Sequence, residues 1–330
     1  MHVSRRELMQ AGLAIGVGAA LPAMPQARAA DQDLITKAIP ATGEKIPVIG
    51  LGTNNFGTED YNNVVELLRR MHALGGTVID TAAAYGQSEV VIGKALAQLG
   101  TTRQMFIATK FNDAKDASGR PPPGSKGALE EPYDPTNGMD SVRRSLQRLG
   151  KIDLLFVHHI NSVEPMMPIL LDLKRQQRVR YIGFTSVGMR VPEDAARTLE
   201  YLRKYPFDFL QVDYSLGNRR AEAQIFPLAQ RRGTAIMVAE PLSGSSSSVE
   251  RFSLFGQTRG QKLPAWAAEL GVASWGQLFL KYAVSHPAVT CAIPGTTKIA
   301  NLEDNQAAGH GRLLNAAERR KIEQFWQDLA

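Results

Sequence analysis

The sequence predicts an α/β fold, specifically a closed (β/α)8 TIM barrel in a single domain, and three observations carry that prediction. Short apolar runs alternate with amphipathic stretches eight times along the chain, as βαβ units around a parallel sheet require. The alternation occupies about 300 of the 330 residues, which suits one barrel with insertions better than two open sheets. Neither an internal repeat nor a charged linker divides it.

The first strand, 48–51, runs through Val48, Ile49 and Leu51, and the second, 77–79, is Thr77, Val78 and Ile79. Further strands are expected at 105–109, 154–157, 181–184, 209–212, 234–238 and 289–293, each a short run of aliphatic, β-branched or aromatic residues. Between them apolar residues recur at helical spacing, as Val64, Leu67, Leu68 and Met71 do within 61–74. Helices are expected there and at 88–99, 139–149, 165–176, 192–204, 222–231 and 275–285. Two segments break the rhythm. Residues 112–136 hold Pro121, Pro122, Pro123, Pro132 and Pro135 and read as a long loop after the third strand. Residues 243–248 set Gly244 among serines after the seventh strand. Both leave the C-terminal ends of strands, the face where barrels carry their active sites.

The first thirty residues have another purpose. Arg5 and Arg6 precede an uncharged apolar run, 11–21, and Ala27-Arg28-Ala29 follows as a small-residue cleavage site, the pattern of an export signal. The run is too short to span a bilayer. Residues 1–29 are therefore expected to be removed, leaving 30–330 as the barrel with no stable membrane anchor. Ser4-Arg5-Arg6-Glu7-Leu8 resembles the twin-arginine signal, whose machinery exports folded proteins; an ordinary secretory signal is the alternative. A periplasmic or otherwise exported bacterial location is expected.

Composition excludes other classes. Hydrophobic residues make up 44% and charged residues 21%, with a mean hydropathy of −0.19, as in ordinary globular proteins. Lys+Arg 38 against Asp+Glu 32 gives +6, of which the export segment, with Arg5, Arg6 and Arg28 against Glu7, carries +2. No basic stripe interleaved with aromatics is present, so no nucleic-acid partner is expected. The single cysteine, Cys291, forms no intrachain disulfide and no cysteine-based zinc site.

Four polar residues stand at matched places. Asp80 ends the second strand, Tyr85 follows in the next loop, Lys110 ends the third strand and His158 the fourth, so all four should meet at one rim. Tyr has a pKa near 10, and a neighbouring ammonium would favour its phenolate. A carboxylate beside that lysine would keep it charged in a dry site. His159 is expected to point to the opposite side by strand alternation. A metal-dependent hydrolase would need several more ligands at strand ends than Asp80 and His158, and no metal is expected.

These residues resemble the aldo-keto reductase family. The resemblance extends from Gly50-Leu51-Gly52-Thr53 through Ile79-Asp80-Thr81-Ala82, Tyr85-Gly86, Thr109-Lys110, Asp153-Leu154, His158, Ile182-Gly183, Gln211 and Ile293-Pro294-Gly295 to Asn305. It implies hydride transfer between a nicotinamide cofactor and a small aldehyde or ketone, or an alcohol in reverse. Tyr85 would be the general acid, Lys110 and Asp80 would adjust its pKa, and His158 would orient the carbonyl. It also implies that Thr185, Ser186 and Gln211 meet the carboxamide, and that Pro241-Leu242-Ser243-Gly244 lies along the pyrophosphate. Gly52 and Thr53 belong to the same cofactor set, and Gly295, Thr296, Lys298, Asp304 and Asn305 meet the adenosine end. Lys298 would face a 2′-phosphate, favouring NADPH/NADP, with NADH/NAD as the alternative. There is no GxGxxG after a strand, hence no Rossmann site. The sequence departs from the family at Thr185-Ser186, at Ala239, where many members have Tyr, and at Gly295 and Asn301, where some have Lys and Arg. A nucleotide-binding regulatory barrel without turnover is the second functional reading.

Overall fold

The computed structural model describes residues 33–58, 60–111, 138–187, 192–242 and 254–329. The expected export segment, the loop at 112–136, and Ser243 and Gly244 with the rest of the serine-rich stretch lie outside the described residues. Asp33–Ala330 is one compact unit, and no helix among the described residues is long and apolar enough to cross a membrane.

A short antiparallel hairpin, β1 (Thr36–Ala38) and β2 (Lys45–Pro47), comes first. Eight parallel strands follow and pair in chain order: β3 (Leu51–Gly52), β4 (Val78–Asp80), β5 (Phe106–Phe111), β6 (Leu154–Val157), β7 (Tyr181–Ser186), β8 (Phe209–Asp213), β9 (Ala235–Ala239) and β10 (Val289–Ala292). The last joins the first: Gly50 N–H donates to Ala292 O (2.8 Å), Ala292 N–H to Val48 O (2.9 Å) and Gly52 N–H to Pro294 O (3.1 Å). The sheet is therefore the closed barrel the alternation predicts.

Around it run α1 (Tyr61–Ala73), α2 (Ser88–Leu99), α3 (Gly138–Leu149), α4 (Val163–Arg175), α5 (Pro192–Lys204), α6 (Ile225–Arg232), α7 (Leu254–Gln257), α8 (Trp275–Val284), α9 (Ile299–Ala307) and α10 (Ala316–Leu329). β6, α2 and α5 end where the sequence predicts. The sixth helix begins at Ile225 rather than 222, because Arg220–Glu222 forms a separate 3-10 turn. The hairpin, α9 and α10 lie outside the strands and helices that the sequence predicts. α10 buries only Arg319, Ile322 and Trp326, too narrow a stripe to stand out in so polar a segment.

Side-chain alternation divides the core into two. Inward residues Val78, Phe106, Ala108, Leu154, Phe156, Tyr181, Phe209, Ala235, Met237, Cys291 and Ile293 fill the barrel, joined by Ile39 and Ile46 of the hairpin region. Outward residues such as Ile79, Ile107, Leu155, Ile182, Leu210 and Ile236 pack under the helices. Lys37 ties the hairpin to the base of β10 through Val284 O, His286 O and Val289 O, at 2.7, 2.9 and 2.7 Å.

At one point α2 and α3 touch through backbone. A Cβ at Gly93 would lie 1.7 Å from Arg148 O, and a carbonyl cannot swing aside as a side-chain tip can. Gly93→Ala is expected to destabilise the fold by about 1–3 kcal/mol, read as a lowered urea midpoint. An unchanged midpoint would mean that the two helices move apart freely.

Candidate active site

The inward positions nearest the C-terminal ends of β4 to β8 carry Asp80, Lys110, Thr185 and Gln211, with His158 directly after β6. The same period of two that fills the barrel below with Phe106, Ala108, Leu154 and Phe156 delivers Lys110 and His158 to the top. Apolar packing beneath thus fixes polar groups above.

Asp80 is the centre. Lys110 Nζ donates to its Oδ2 at 2.5 Å, and Gln211 Nε2 donates to its Oδ1 at 2.8 Å. A further N–H of Lys110 reaches Thr81 O at 2.9 Å. Both members of the ion pair are buried. Tyr85 arrives from a tight turn in which its N–H donates to Ala82 O (3.0 Å) and its carbonyl accepts from Ser88 N–H (3.1 Å). Gly57 lets the backbone before α1 lie against this turn, since a Cβ there would fall 2.9 Å from Tyr85 O and 2.8 Å from Gln87 N. Lys110 Nζ stands 5.0 Å from the Tyr85 ring centroid, and the His158 ring meets Tyr85 edge-on at 5.6 Å and 79°. Thr185 Oγ1 donates to His158 O and holds that segment against β7.

Burial governs the protonation states. It raises the Tyr85 pKa; Lys110 pulls the other way and Asp80 adds to the rise, so the net shift is upward. Lys110 favours the phenolate, as its neighbourhood predicts, but desolvation outweighs it. Burial alone would lower Lys110, yet Asp80 and then Tyr85 reverse this and leave its pKa raised. Burial also raises Asp80, against the pull of Lys110 and Gln211. His158 is held well below the ordinary histidine range by burial, Lys110 and His159, and is uncharged at neutral pH.

These groups open on a cavity of about 460 Å³, within the range of small-molecule sites. Of the expected residues, Asp80, Tyr85 and His158 line it, as do Gly52, Thr53, Thr185, Gln211, Pro241, Leu242 and Gly295. Others do not. Ser186 is the outward neighbour of Thr185, and its hydroxyl bonds Thr198 on α5 at 2.7 Å; adjacent strand residues cannot both face the mouth. The Asp304 carboxylate is taken by Ser274 Oγ (2.6 Å) and Gln277 Nε2 (2.7 Å) of the α8 region. Asn305 is buried in α9. Thr296 Oγ1 accepts from Lys298 N–H at 3.1 Å, and exposed Lys298 caps α9 beyond the cavity lining. His159 is a second correction. Its ring stacks on His158, because β6 has ended at Val157 and alternation no longer applies.

Sequence reasoning gave no specific role to Val187, Glu240, Pro294 or Phe255, which complete the wall with Asn54, Asn55 and Asn301. Val187 and Glu240 directly follow β7 and β9, so the strand-end rule could have found them. Glu240 has φ 49°, a left-handed conformation uncommon outside glycine. Phe255 and Asn301 come from helices and carry no such signal. Among the described residues no group of His, Cys, Asp and Glu could hold a metal ion.

Comparison with known proteins gives concordant matches. The family model described as Aldo/keto reductase family matches residues 48–327. An aldo-keto reductase of Strobilurus tenacellus is 27% identical over 312 residues, covering 83% of this chain and 87% of its own. An NADH-specific methylglyoxal reductase of Escherichia coli (strain K12) is 30% identical over 216 residues, 59% of this chain and 61% of its own. The fold resembles that of a Klebsiella pneumoniae aldo-keto reductase solved in complex with NADPH, with a TM-score of 0.67 at 23% identity, covering 89% of this chain and 96% of that one.

Proposed function

The chain belongs to the aldo/keto reductase family, and from that premise we propose that it reduces an aldehyde or ketone with NADPH, Tyr85 acting as general acid supported by Lys110, Asp80 and His158. In the reverse direction it would oxidise an alcohol. The observation that carries this reading is the cluster of these four side chains: Tyr85 and His158 line the cavity beside Asp80, and the buried Lys110 stands behind them on Asp80.

A nicotinamide nucleotide supplies the hydride when bound. The donor set fits it: Gln211 gives its amide nitrogen to Asp80 and keeps its carbonyl oxygen for a carboxamide, while Asn54 and Asn301 bring amides to the cavity wall. Pro241 and Leu242 line the wall and directly precede Ser243 and Gly244 in the sequence, the residues that would meet the pyrophosphate.

The chain's own part is proton delivery and charge. With its pKa raised by burial, the Tyr85 phenol keeps its proton at neutral pH and can pass it to the carbonyl oxygen as negative charge develops there. The resulting phenolate is stabilised by the Lys110 ammonium 5.0 Å from the ring centroid. Asp80, 2.5 Å from Lys110 Nζ, keeps that ammonium charged away from water. His158, uncharged, orients the carbonyl beside Tyr85 without competing as an acid.

Lys298, an exposed cation that caps α9 three residues after the cavity-lining Gly295, is the residue assigned to the 2′-phosphate. The Klebsiella pneumoniae complex contains NADPH and the Escherichia coli relative is NADH-specific, so both nucleotides merit measurement. Lys298→Ala is expected to weaken NADPH binding by about tenfold, the loss of one charge-assisted contact, with NADH unchanged. Equal effects on both, by fluorescence titration, would remove Lys298 from the 2′-phosphate site.

We further propose that residues 1–29 direct the chain through the twin-arginine route to the periplasm, on the strength of Arg5-Arg6 and the small-residue site ending at Ala29. Folded export suits a protein that carries a nucleotide made in the cytoplasm. Replacing Arg5-Arg6 by Lys-Lys should trap precursor inside; normal export of that variant would argue against the route.

A further inference from the structure

The turn that carries Tyr85 is closed on itself by hydroxyl groups. Thr81 opens the segment between β4 and α2, and Ser88 ends it as the first residue of α2. Thr81 Oγ1 lies 3.0 Å from Ser88 Oγ. Ser88 Oγ is also 3.0 Å from Thr53 O and 3.1 Å from Thr53 Oγ1, in the segment that follows β3. Thr53 in turn donates to Asp80 O twice, from Oγ1 at 2.9 Å and from its N–H at 3.1 Å. All three hydroxyl residues are buried.

Each hydroxyl has one proton to give. Thr53 gives its own to Asp80 O, so Ser88 donates to Thr53 and accepts from Thr81, and the three protons run one way, from the start of the turn to the end of β4. Backbone bonds complete the turn: Ala83 N–H donates to Lys110 O at 3.1 Å, Tyr85 N–H to Ala82 O at 3.0 Å and Ser88 N–H to Tyr85 O at 3.1 Å. The near end of the turn is thus fastened to β5. At the far end Gln87 gives α2 no side-chain cap, so the Ser88 hydroxyl is the side-chain tie between the start of the helix and the ends of β3 and β4.

We propose that Ser88 is a positioning residue for the general acid: its hydroxyl fixes the far end of the Tyr85 turn and so holds the phenol in register with Lys110 and the carbonyl. This deepens the reductase reading and rests on its assignment of Tyr85. A general acid works only within hydrogen-bond reach of the atom it protonates, and a displacement of about 1 Å can cost about 10²-fold in rate. The cavity wall does not depend on the same tie. Thr53 keeps both its bonds to Asp80 O without Ser88, and its carbonyl still accepts from Phe56 N–H at 3.0 Å. The loss therefore falls on kcat rather than on binding.

The test compares the full chain as wild type, Ser88→Ala and the double variant Thr81→Val/Ser88→Ala, each with Tyr85 and with Tyr85→Phe. Ser88→Ala is expected to lower kcat for carbonyl reduction by about 10- to 100-fold, with KM and NADPH affinity unchanged. In the Tyr85→Phe background it should lower the residual rate no further, because two residues that act through one hydroxyl are not additive. Ser88→Ala leaves the buried Thr81 hydroxyl without its acceptor. The double variant has no such orphan, so it should unfold at the wild-type urea concentration and still show the loss of kcat, which separates placement from stability. Amide exchange of residues 81–88 in the cofactor-free protein should quicken about tenfold in Ser88→Ala. Wild-type kcat in Ser88→Ala, a full additional loss in Tyr85→Phe, or unchanged exchange would each overturn the proposal. Exchange needs neither cofactor nor turnover, so its failure is read separately from a failure of the reductase reading.

Discussion

Tyr85→Phe is expected to lower kcat/KM for carbonyl reduction by about 10²- to 10⁴-fold, the usual worth of a positioned general acid, while NADPH still binds. The substitution keeps the ring that meets His158 edge-on and removes only the hydroxyl, so lost packing does not confuse the result. The pH dependence carries the same information. Because burial raises the Tyr85 pKa despite Lys110, the protonated, active form for reduction persists through the neutral range. It should be lost only above the ordinary tyrosine value of about 10. Wild-type kcat/KM for reduction should therefore be flat to that pH and fall beyond it. Stopped-flow rates across the alkaline range check this. Full reduction by Tyr85→Phe would sink the assignment. Nucleotide binding by wild type without turnover on a broad carbonyl panel would instead favour a regulatory barrel.

The second large effect is on stability. Lys110→Met should destabilise the protein by about 3–5 kcal/mol, since it leaves Asp80 buried without its cation. Gln211 alone would remain as a side-chain donor to that carboxylate. Urea unfolding of the cofactor-free protein measures the loss. Adding Asp80→Asn to Lys110→Met should recover part of it, because the double variant no longer buries an unpaired charge. An unchanged midpoint in the single variant would mean that water reaches Asp80 and that the pair is not the dry cluster described. Reduction should be lost in both variants, as neither has an ammonium to stabilise the Tyr85 phenolate.

Much of this site is legible in the chain itself, and the exceptions have physical reasons. The strand ends predict Asp80, Lys110 and His158 together, and in the structure Asp80 and His158 line one cavity with Tyr85 while Lys110 is paired to Asp80 behind it. The resemblance pairs Ser186 with Thr185, but alternation lets only one of two adjacent strand residues face the mouth, and the Ser186 hydroxyl is on Thr198. At His159 the converse holds: β6 ends at Val157, so strand alternation no longer sets the side of its ring. Asp304 was expected at the adenosine end, but Ser274 and Gln277, nearly thirty residues away in sequence, hold its carboxylate.

The sequence by itself determined the barrel, the parity of its strands and the identity of the four polar residues that cluster at its C-terminal end. These depend on covalent geometry: successive side chains of a strand must point to opposite sides, so an apolar layer below and a polar layer above are written in the same run. The tertiary structure alone decided how deeply Tyr85 and His158 are buried, that Phe255 and Asn301 close the wall, and that His159 lies flat on His158. Depth of burial and contact across separate elements are sums over the whole packed chain, and no local pattern of residues encodes them. The direction of the Tyr85 shift shows the difference: the opposing pull of Lys110 could be read from its neighbourhood, but the desolvation that outweighs it belongs to the closed barrel.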